Sequence, residues 1–224
     1  MRRYEESWFR ERVMKNFRRS YYNAFSRFYD KFVALHSVDA QGALRKFFSD
    51  KVPVKESDFV LDICTGTGSL LLYLREKIGP KGLVVGVDFS RGMLKVGQEK
   101  TKMYVNISLL ESDVAYLPFR PNEFDAVTCT HAFYELKGET QDRVLREIVR
   151  VLKPGTPFLM MEHDVPKSAL IRVLFYIRLF SMGAKKALYI LRHEKRILER
   201  YFRIVEKIPT PTGRSKIMIC YNPG

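Results

Sequence analysis

The chain has 224 residues, of which 46% are hydrophobic and 13% aromatic, so one sizeable core is expected and two are not. Its net charge of +14 favours partners with anionic surfaces. The three cysteines, Cys64, Cys129 and Cys220, are odd in number and widely spaced, which favours neither a disulfide framework nor a zinc site.

The first fifty residues are predicted to form an N-terminal helical arm or lid. The first sixteen alternate charged with aromatic side chains and lack a continuous apolar run, so they do not resemble a secretory signal. Residues 21–32 then hold six aromatic side chains, among them Tyr29. An aromatic lid would exclude water and contact a planar substrate, although aromatics at helical spacing more often serve packing alone.

Residues 51–224 are predicted to form the main domain. Apolar runs of strand length alternate with helix-period segments from about residue 58, which favours a parallel sheet with crossover helices on both faces. Strands are predicted at residues 59–64, 83–88, 107–113, 124–130 and 156–164, and helices at 69–79, 90–100 and 140–152.

The tail departs from this alternation. Residues 168–203 are predicted to be helical, and residues 203–210 and 215–222 to form an antiparallel hairpin at a sheet edge. The segment 165–203 carries ten Lys or Arg against two Glu, and its longest apolar stretch is too short to span a bilayer. It suits either an interfacial element on an anionic membrane or a helix packed on the sheet with solvated charges. A cytoplasmic protein, soluble or peripheral at the inner face of the membrane, is expected.

The stretch VLDICTGTGSL, residues 60–70, places Gly66 and Gly68 directly after the first strand. Glycines there let the backbone approach a ligand, and the following helix start offers free amide donors. Asp88 ends the next strand, where its carboxylate could accept both hydroxyl hydrogens of a ribose. The alternatives are a tight turn with Asp88 as a cap, or a dinucleotide fold, which would normally have a third glycine where this chain has Leu71.

Five stretches together resemble the class I S-adenosylmethionine-dependent methyltransferases, most closely those of ubiquinone and menaquinone biosynthesis. They are VLDICTGTGSL, GLVVGVDFSRGML, SDVAYLPF, FDAVTCTHAFYEL and VLREIVRVLKPG, and the resemblance spans about residues 20–164. It implies a Rossmann-like fold with a seven-stranded sheet, S-adenosyl-L-methionine as cofactor and S-adenosyl-L-homocysteine as product. Many members have a third glycine before Gly66, where this chain has Cys64 and Thr65.

The resemblance also implies roles for individual residues. Asp62 and the glycine loop would face the methionine part of the cofactor, and Asp88 its ribose. Met93 would pack on the adenine ring, unless it only fills the core, and Asp113 with Val114 would contact the adenine amine, unless Asp113 only caps a turn. The implied cofactor-binding residues are Asp62, Cys64, Gly66, Gly68, Asp88, Phe89, Met93, Asp113, Val114 and Thr130.

The candidate catalytic residues are His131, Tyr134 and Tyr29. The stretch THAFYEL, residues 130–136, follows the fourth strand at the carboxyl edge, where open α/β sheets place their ligands. His131 could take a proton from a phenol or a ring carbon, or could merely hydrogen-bond the cofactor or the backbone. Tyr29 belongs to the aromatic lid. No metal is predicted at residues 162–164, EHD, because adjacent strand residues alternate in direction.

The sequence therefore predicts methylation of a quinol-like or other lipophilic aromatic acceptor at carbon or oxygen. Alternatives are N-methylation of a phospholipid amine, methylation of another small molecule, and a non-catalytic cofactor-binding module. A nucleic-acid partner is disfavoured, because an enzyme that methylates base amines is expected to carry an NPPY-like motif where this chain has THAF. The expected partners are a small-molecule or lipid-like acceptor and an anionic membrane surface.

Overall fold

A seven-stranded sheet lies at the centre of the computed structural model, which describes residues 19–30, 42–136, 138–164, 184–203 and 205–224. Its strands are β1 (Phe59–Ile63), β2 (Leu83–Asp88), β3 (Ile107–Glu111), β4 (Ala126–Thr130), β5 (Pro157–His163), β6 (Val205–Pro209) and β7 (Ser215–Tyr221). Their order is β3-β2-β1-β4-β5-β7-β6. The first five pair in parallel and β7 is antiparallel to both neighbours, so the predicted mostly parallel sheet with a C-terminal hairpin is confirmed.

Helices cover both faces of the sheet. They are α1 (residues 19–30), α2 (Ala43–Lys51), α3 (Ser69–Ile78), α4 (Arg91–Thr101), α5 (Glu139–Val151) and α6 (Ala184–Leu198), with a 3₁₀ helix at Phe133–Glu135. One core contains side chains of α2 and α3. The other contains those of α5, α6 and the 3₁₀ helix. Within the described ranges, none of these helices combines the length and apolar character that crossing a bilayer requires.

Several predicted boundaries were wrong, each for a local reason. The first strand stops at Ile63 because Cys64 adopts a φ of 55°, which no strand residue has. The third stops at Glu111, since Asp113 accepts the Ala115 N–H and starts a turn. The fourth begins only at Ala126, because Phe124 forms an isolated bridge.

The predicted helical tail is confirmed only in part. Residues 165–183 lie outside the described ranges, α6 covers Ala184–Leu198, and residues 199–203 were wrongly predicted to be helical, because the backbone turns after Leu198. Residues 205–221 then form the predicted hairpin, with β6 at the edge.

The parallel strands place all candidate site residues at one edge. β1, β2, β4 and β5 end side by side, so the loops that follow them converge at the carboxyl edge of the sheet. This edge carries the glycine loop, Asp88, His131 and His163.

Candidate active site

The loop between β1 and α3 depends on its two glycines. Gly66 and Gly68 have φ values of 57° and 68°, a region that L side chains rarely adopt. A Cβ atom on Gly68 would lie 3.2 Å from Leu71 Cδ1 and 3.7 Å from Gly97 Cα, so the loop is packed closely between α3 and α4. Gly68 is also the residue that precedes α3, and the first amides of that helix therefore point toward the carboxyl edge.

Two buried carboxylates flank this loop. Asp62 is 1% exposed and accepts a hydrogen bond of 2.7 Å from the Thr128 hydroxyl, and burial raises its pKa to about 6. Asp88 is 5% exposed and accepts the N–H groups of Gly66 at 2.9 Å and Ser90 at 2.8 Å. Burial also raises the pKa of Asp88 to about 6.

Asp88 holds a turn, as one interpretation predicted, although it is not the cap of α4. Its carboxylate can still accept hydrogen bonds from a ribose. A carboxylate oxygen has two lone pairs, and each oxygen of Asp88 has used one of them on a backbone amide. The cap of α4 is Ser90, whose Oγ accepts the Met93 N–H at 3.3 Å. Asp88 therefore holds the glycine loop to the start of α4 and keeps acceptor capacity for a ligand.

The predicted adenine contacts lie in the first turn of α4 and in the loop after β3. Met93 is 2% exposed, Val114 is 7% exposed, and Asp113 is half-buried and accepts the Ala115 N–H at 3.1 Å. Met93 is thus part of the interior and Asp113 orders a turn. These positions also agree with the alternatives to an adenine contact, in which Met93 only fills the core and Asp113 only caps a turn. Phe89 is half-buried, with its ring at right angles to that of Tyr22 at 6.0 Å.

Helix α1 lies across the carboxyl edge and covers the glycine loop. A Cβ atom on Gly66 would lie 3.9 Å from Cε1 of the Tyr29 ring. Tyr29 is half-buried, and burial raises the pKa of its hydroxyl to about 12, so the hydroxyl stays protonated. Earlier in α1, the Asn23 side-chain oxygen accepts the Ser90 hydroxyl and the Gly92 N–H, both at 2.8 Å.

A polar latch fastens the last turn of α1. We use this term for Asp30, Thr67, Ser69 and Lys100. Asp30 accepts the Thr67 hydroxyl at 2.6 Å and lies 2.5 Å from the Lys100 ammonium, which also donates to Thr67 at 3.0 Å and Ser69 at 2.8 Å. Burial alone would raise the pKa of Asp30, but the hydrogen bonds from Lys100 and Thr67 lower it below its usual value.

The loop after β4 carries the candidate catalytic side chains. His131 has a φ of 53°, and its N–H donates to the Met161 carbonyl at 2.8 Å. This strained backbone places the His131 ring 4.5 Å from that of His163, and the Tyr134 ring lies 6.0 Å from the same imidazole. Glu135 accepts the Tyr22 hydroxyl of α1 at 2.7 Å. Thr130, the last residue of β4, pairs with Met161 and is half-buried.

The structure therefore brings most predicted residues together and adds others. The predicted set gathers around the ends of β1, β2, β3 and β4, with Tyr29 above it. Sequence reasoning assigned none of Asn23, Asp30, Lys100 and His163 to the site, although Asp30 belongs to the predicted lid and His163 to the stretch weighed as a metal site. Asp30 beside the predicted Tyr29 was the one local signal, while Lys100 resembled an ordinary solvated residue on a helix.

Known proteins similar to this chain include methyltransferases. The model of the ubiE/COQ5 methyltransferase family matches residues 11–184. A demethylmenaquinone methyltransferase of Lactobacillus johnsonii is 36% identical over 162 residues, which cover 70% of this chain and 66% of that protein. A protein of the same description from Staphylococcus carnosus is 39% identical over 138 residues, covering 62% and 56%. The chain thus spans less than two thirds of the length of these relatives.

Solved structures agree on the fold. A SAM-dependent methyltransferase from Aquifex aeolicus superimposes with a TM-score of 0.61 at 21% identity, covering 84% of this chain and 96% of that one. A putative O-methyltransferase from Nostoc punctiforme superimposes with a TM-score of 0.69 at 14% identity, covering 89% and 59%. At these identities the comparison establishes the fold alone.

Proposed function

Because this chain belongs to the ubiE/COQ5 methyltransferase family, we propose that it binds S-adenosyl-L-methionine at the carboxyl edge of β1 and β2 and transfers the methyl group to an acceptor beside β4. The observation that carries the proposal is the buried Asp88 carboxylate, which lies beside the glycine loop with acceptor capacity left. Asp88 would hold the ribose hydroxyls, and Asp62 with the loop amides would hold the methionine part. Phe89, Met93, Asp113 and Val114 would enclose the adenine.

The cofactor supplies a methyl group that is already activated as a sulfonium, so the protein mainly aligns the acceptor and excludes water. Helix α1 supports this second task, because its Tyr29 ring lies over Gly66. Tyr22 contacts both Phe89 and Glu135, and so bridges the cofactor side and the acceptor side. Positioning of the reactants by such side chains lowers the activation barrier by about 7 to 11 kcal/mol in favourable cases. A general base contributes less, a rate increase of about 10²- to 10⁴-fold.

We propose a quinol-like aromatic acceptor that is methylated at carbon. Support comes from the relatives described as demethylmenaquinone methyltransferases and from the aromatic lining formed by Tyr22, Tyr134, His131 and His163. In this reaction the ring carbon forms the new C–C bond as the methyl–sulfur bond breaks, and the ring then loses one proton. His131 is the candidate acceptor of that proton because it directly follows the last residue of β4, Thr130, which would border the sulfonium.

A membrane-bound acceptor would favour docking at an anionic surface, and we propose that α6 contributes to it. The apolar residues Ile190, Leu191, Ile197 and Leu198 are buried in the core, so this part of the segment packs on the sheet. The opposite side of α6 and the turn after it is exposed and basic, with Arg192, Lys195, Arg196 and Arg200. Over residues 189–200 the attraction to a membrane would therefore be electrostatic. Four expectations stay predictions: an arm or lid formed by residues 1–50, a main domain of residues 51–224, a basic helical segment at residues 165–203, and a cytoplasmic or peripheral location.

The test is methyl transfer from isotopically labelled S-adenosyl-L-methionine, followed by mass spectrometry of the acceptors. A demethylmenaquinol, phosphatidylethanolamine and total RNA are supplied in separate reactions. The expected result is label on a ring carbon of the quinol only. Label on the lipid amine alone would replace the quinol with a phospholipid acceptor, label on RNA would restore the nucleic-acid alternative, and cofactor binding without any transfer would indicate a binding module.

A further inference from the structure

A buried charged cluster lies next to the candidate active site. It consists of Glu162 on β5, Lys216 on β7 and Glu194 on α6, whose exposed fractions are 0%, 2% and 3%. Glu162 and Lys216 are directly paired across the antiparallel strands, so their side chains share one face of the sheet. Lys216 forms an ion pair with Glu194 and donates to the Leu191 carbonyl at 2.7 Å. Lys216 therefore ties α6 to the sheet.

Glu162 makes the connection to the active site. Its Oε1 atom accepts the Phe133 N–H at 2.7 Å, at the start of the 3₁₀ helix that carries Tyr134 and Glu135. Among the described residues, its Oε2 atom has no hydrogen-bond partner, and neither does Oε2 of Glu194. Helix α6 packs on the same 3₁₀ helix. The turn is thus held by the Glu162 carboxyl on one side and by α6 on the other.

The cost of this arrangement points to a specific role. A buried carboxyl with an unsatisfied oxygen is unfavourable, and an apolar side chain of similar volume would avoid the penalty. No apolar side chain could accept the Phe133 N–H. Burial raises the pKa of Glu162 to about 8 and that of Glu194 to about 7. Glu162 thus tends to keep its proton near neutral pH, since burial and the neighbouring Glu194 carboxyl both disfavour its charged form.

Resting on the function proposed above, we propose that Glu162 is a positioning residue of the acceptor site. Glu162 fixes the Phe133–Glu135 turn, while the Lys216–Glu194 ion pair holds α6 against that turn. The fixed turn places Tyr134 near His163 and holds Glu135 where it accepts the Tyr22 hydroxyl of α1. Glu162 therefore acts on the acceptor through the turn, and the cofactor residues on β1 and β2 do not depend on it.

The test combines amide hydrogen exchange with kinetics on two substitutions of matched size. Glu162→Gln keeps an oxygen that can accept the Phe133 N–H, and Glu162→Leu keeps the volume but no acceptor. The acceptor is a short-chain demethylmenaquinol, and S-adenosyl-L-homocysteine affinity is measured by calorimetry. The control is Lys153→Met, which removes the 2.7 Å ion pair with Asp125 at the start of β4, away from the carboxyl edge. Glu162→Asp, whose carboxyl is one methylene too short for Phe133, replaces the Leu variant if that variant does not fold.

We expect Glu162→Leu to speed exchange at the Phe133 amide about ten- to hundredfold and to raise the KM for the quinol about tenfold, with S-adenosyl-L-homocysteine affinity unchanged. Glu162→Gln and Lys153→Met should stay within about threefold of the wild type on all three measurements. Wild-type exchange in the Leu variant would overturn the proposal. So would Glu162→Gln losing all transfer while its exchange stays normal, because Glu162 would then be needed for its proton. If the wild type itself methylates no quinol, the proposed function fails, while exchange still decides whether Glu162 holds the turn.

Discussion

The latch of Asp30, Thr67, Ser69 and Lys100 is expected to control how fast ligands leave the cofactor site. Asp62 and Asp88 are almost fully buried, and Tyr29 covers Gly66, so a ligand at these groups can leave only when α1 moves. Replacing Lys100 with Met keeps the aliphatic stem and removes three polar contacts, to Asp30, Thr67 and Ser69.

The size of the effect follows from the environment of the pair. The side chains of Lys100 and Asp30 are 26% and 38% exposed, so the pair is partly buried. Fully exposed ion pairs stabilise a structure by about 0.2 to 1 kcal/mol, and hydrogen bonds to charged groups by about 1.5 to 3 kcal/mol. A partly buried pair falls between these two cases. The pKa of Lys100 is lowered because burial outweighs its attraction to Asp30, whereas that of Asp30 is lowered by the bonds it accepts. Both pKa values fall, but with opposite meaning: the ammonium loses more hydration than Asp30 returns, which disfavours the charged form of Lys100, whereas the bonds that Asp30 accepts favour its charged form. The net contribution is therefore about 1 to 2 kcal/mol, which corresponds to roughly 5- to 30-fold in the ratio of closed to open lid.

Stopped-flow displacement of S-adenosyl-L-homocysteine measures this ratio. Lys100→Met should release the product roughly 5- to 30-fold faster than the wild type. Lys102→Met is the control, since Lys102 lies on the same stretch of chain and pairs with Glu99 at 3.0 Å, with both side chains more than 70% exposed. It should release the product at the wild-type rate. Equal rates for both variants and the wild type would refute a lid held by this latch.

Substitutions at three further positions test other parts of the site. Asp88→Asn should weaken S-adenosyl-L-homocysteine binding at least tenfold in calorimetry, because the ribose loses a charged acceptor; unchanged affinity would contradict the ribose role. Tyr29→Ala should weaken it about three- to tenfold and Tyr29→Phe should not, since the ring rather than the hydroxyl covers Gly66; equal loss in both would implicate the hydroxyl. Glu162 has its pKa raised from 4.5 to about 8, so its stabilisation is complete below about pH 4.5 and is lost as pH rises through about 8. Denaturant unfolding should therefore show that the free energy of unfolding falls between pH 5 and pH 8 by roughly 3 to 4 kcal/mol more in the wild type than in Glu162→Gln. An equal fall in both proteins would contradict the raised pKa of Glu162.

The sheet and the glycine loop could be predicted because their signals are local. β1, β2 and β4 are short apolar runs that are each followed by a helix-period segment, and right-handed crossovers then leave few possible orders. The same order brings Asp88 beside Gly66, since neighbouring parallel strands end together. The positive φ values of Gly66 and Gly68 give the loop a conformational need for glycine, whereas the approach of a ligand to its backbone stays a prediction.

A lid was predicted, but neither the contacts that fasten it nor the support behind the proposed acceptor site could be, because they join distant segments of the chain. Asn23 meets Ser90 only after α1 has folded across the edge. Lys100 has the appearance of a solvated helical residue until Asp30 approaches it. Glu162 was weighed only as a metal ligand, and its contact with Phe133 requires knowing that β4 and β5 are neighbours.

The position of β7 has a consequence for the nascent chain. β7 is inserted between β5 and β6, yet it is made after both, so β5 presents an unpaired edge from its own synthesis until residues 215–221 follow. That edge includes apolar residues such as Met160, which stay available for misdirected pairing with another copy until β7 arrives. Slow translation or a lesion in β7 would thus favour aggregation, even though the half of the sheet that carries the glycine loop is already complete.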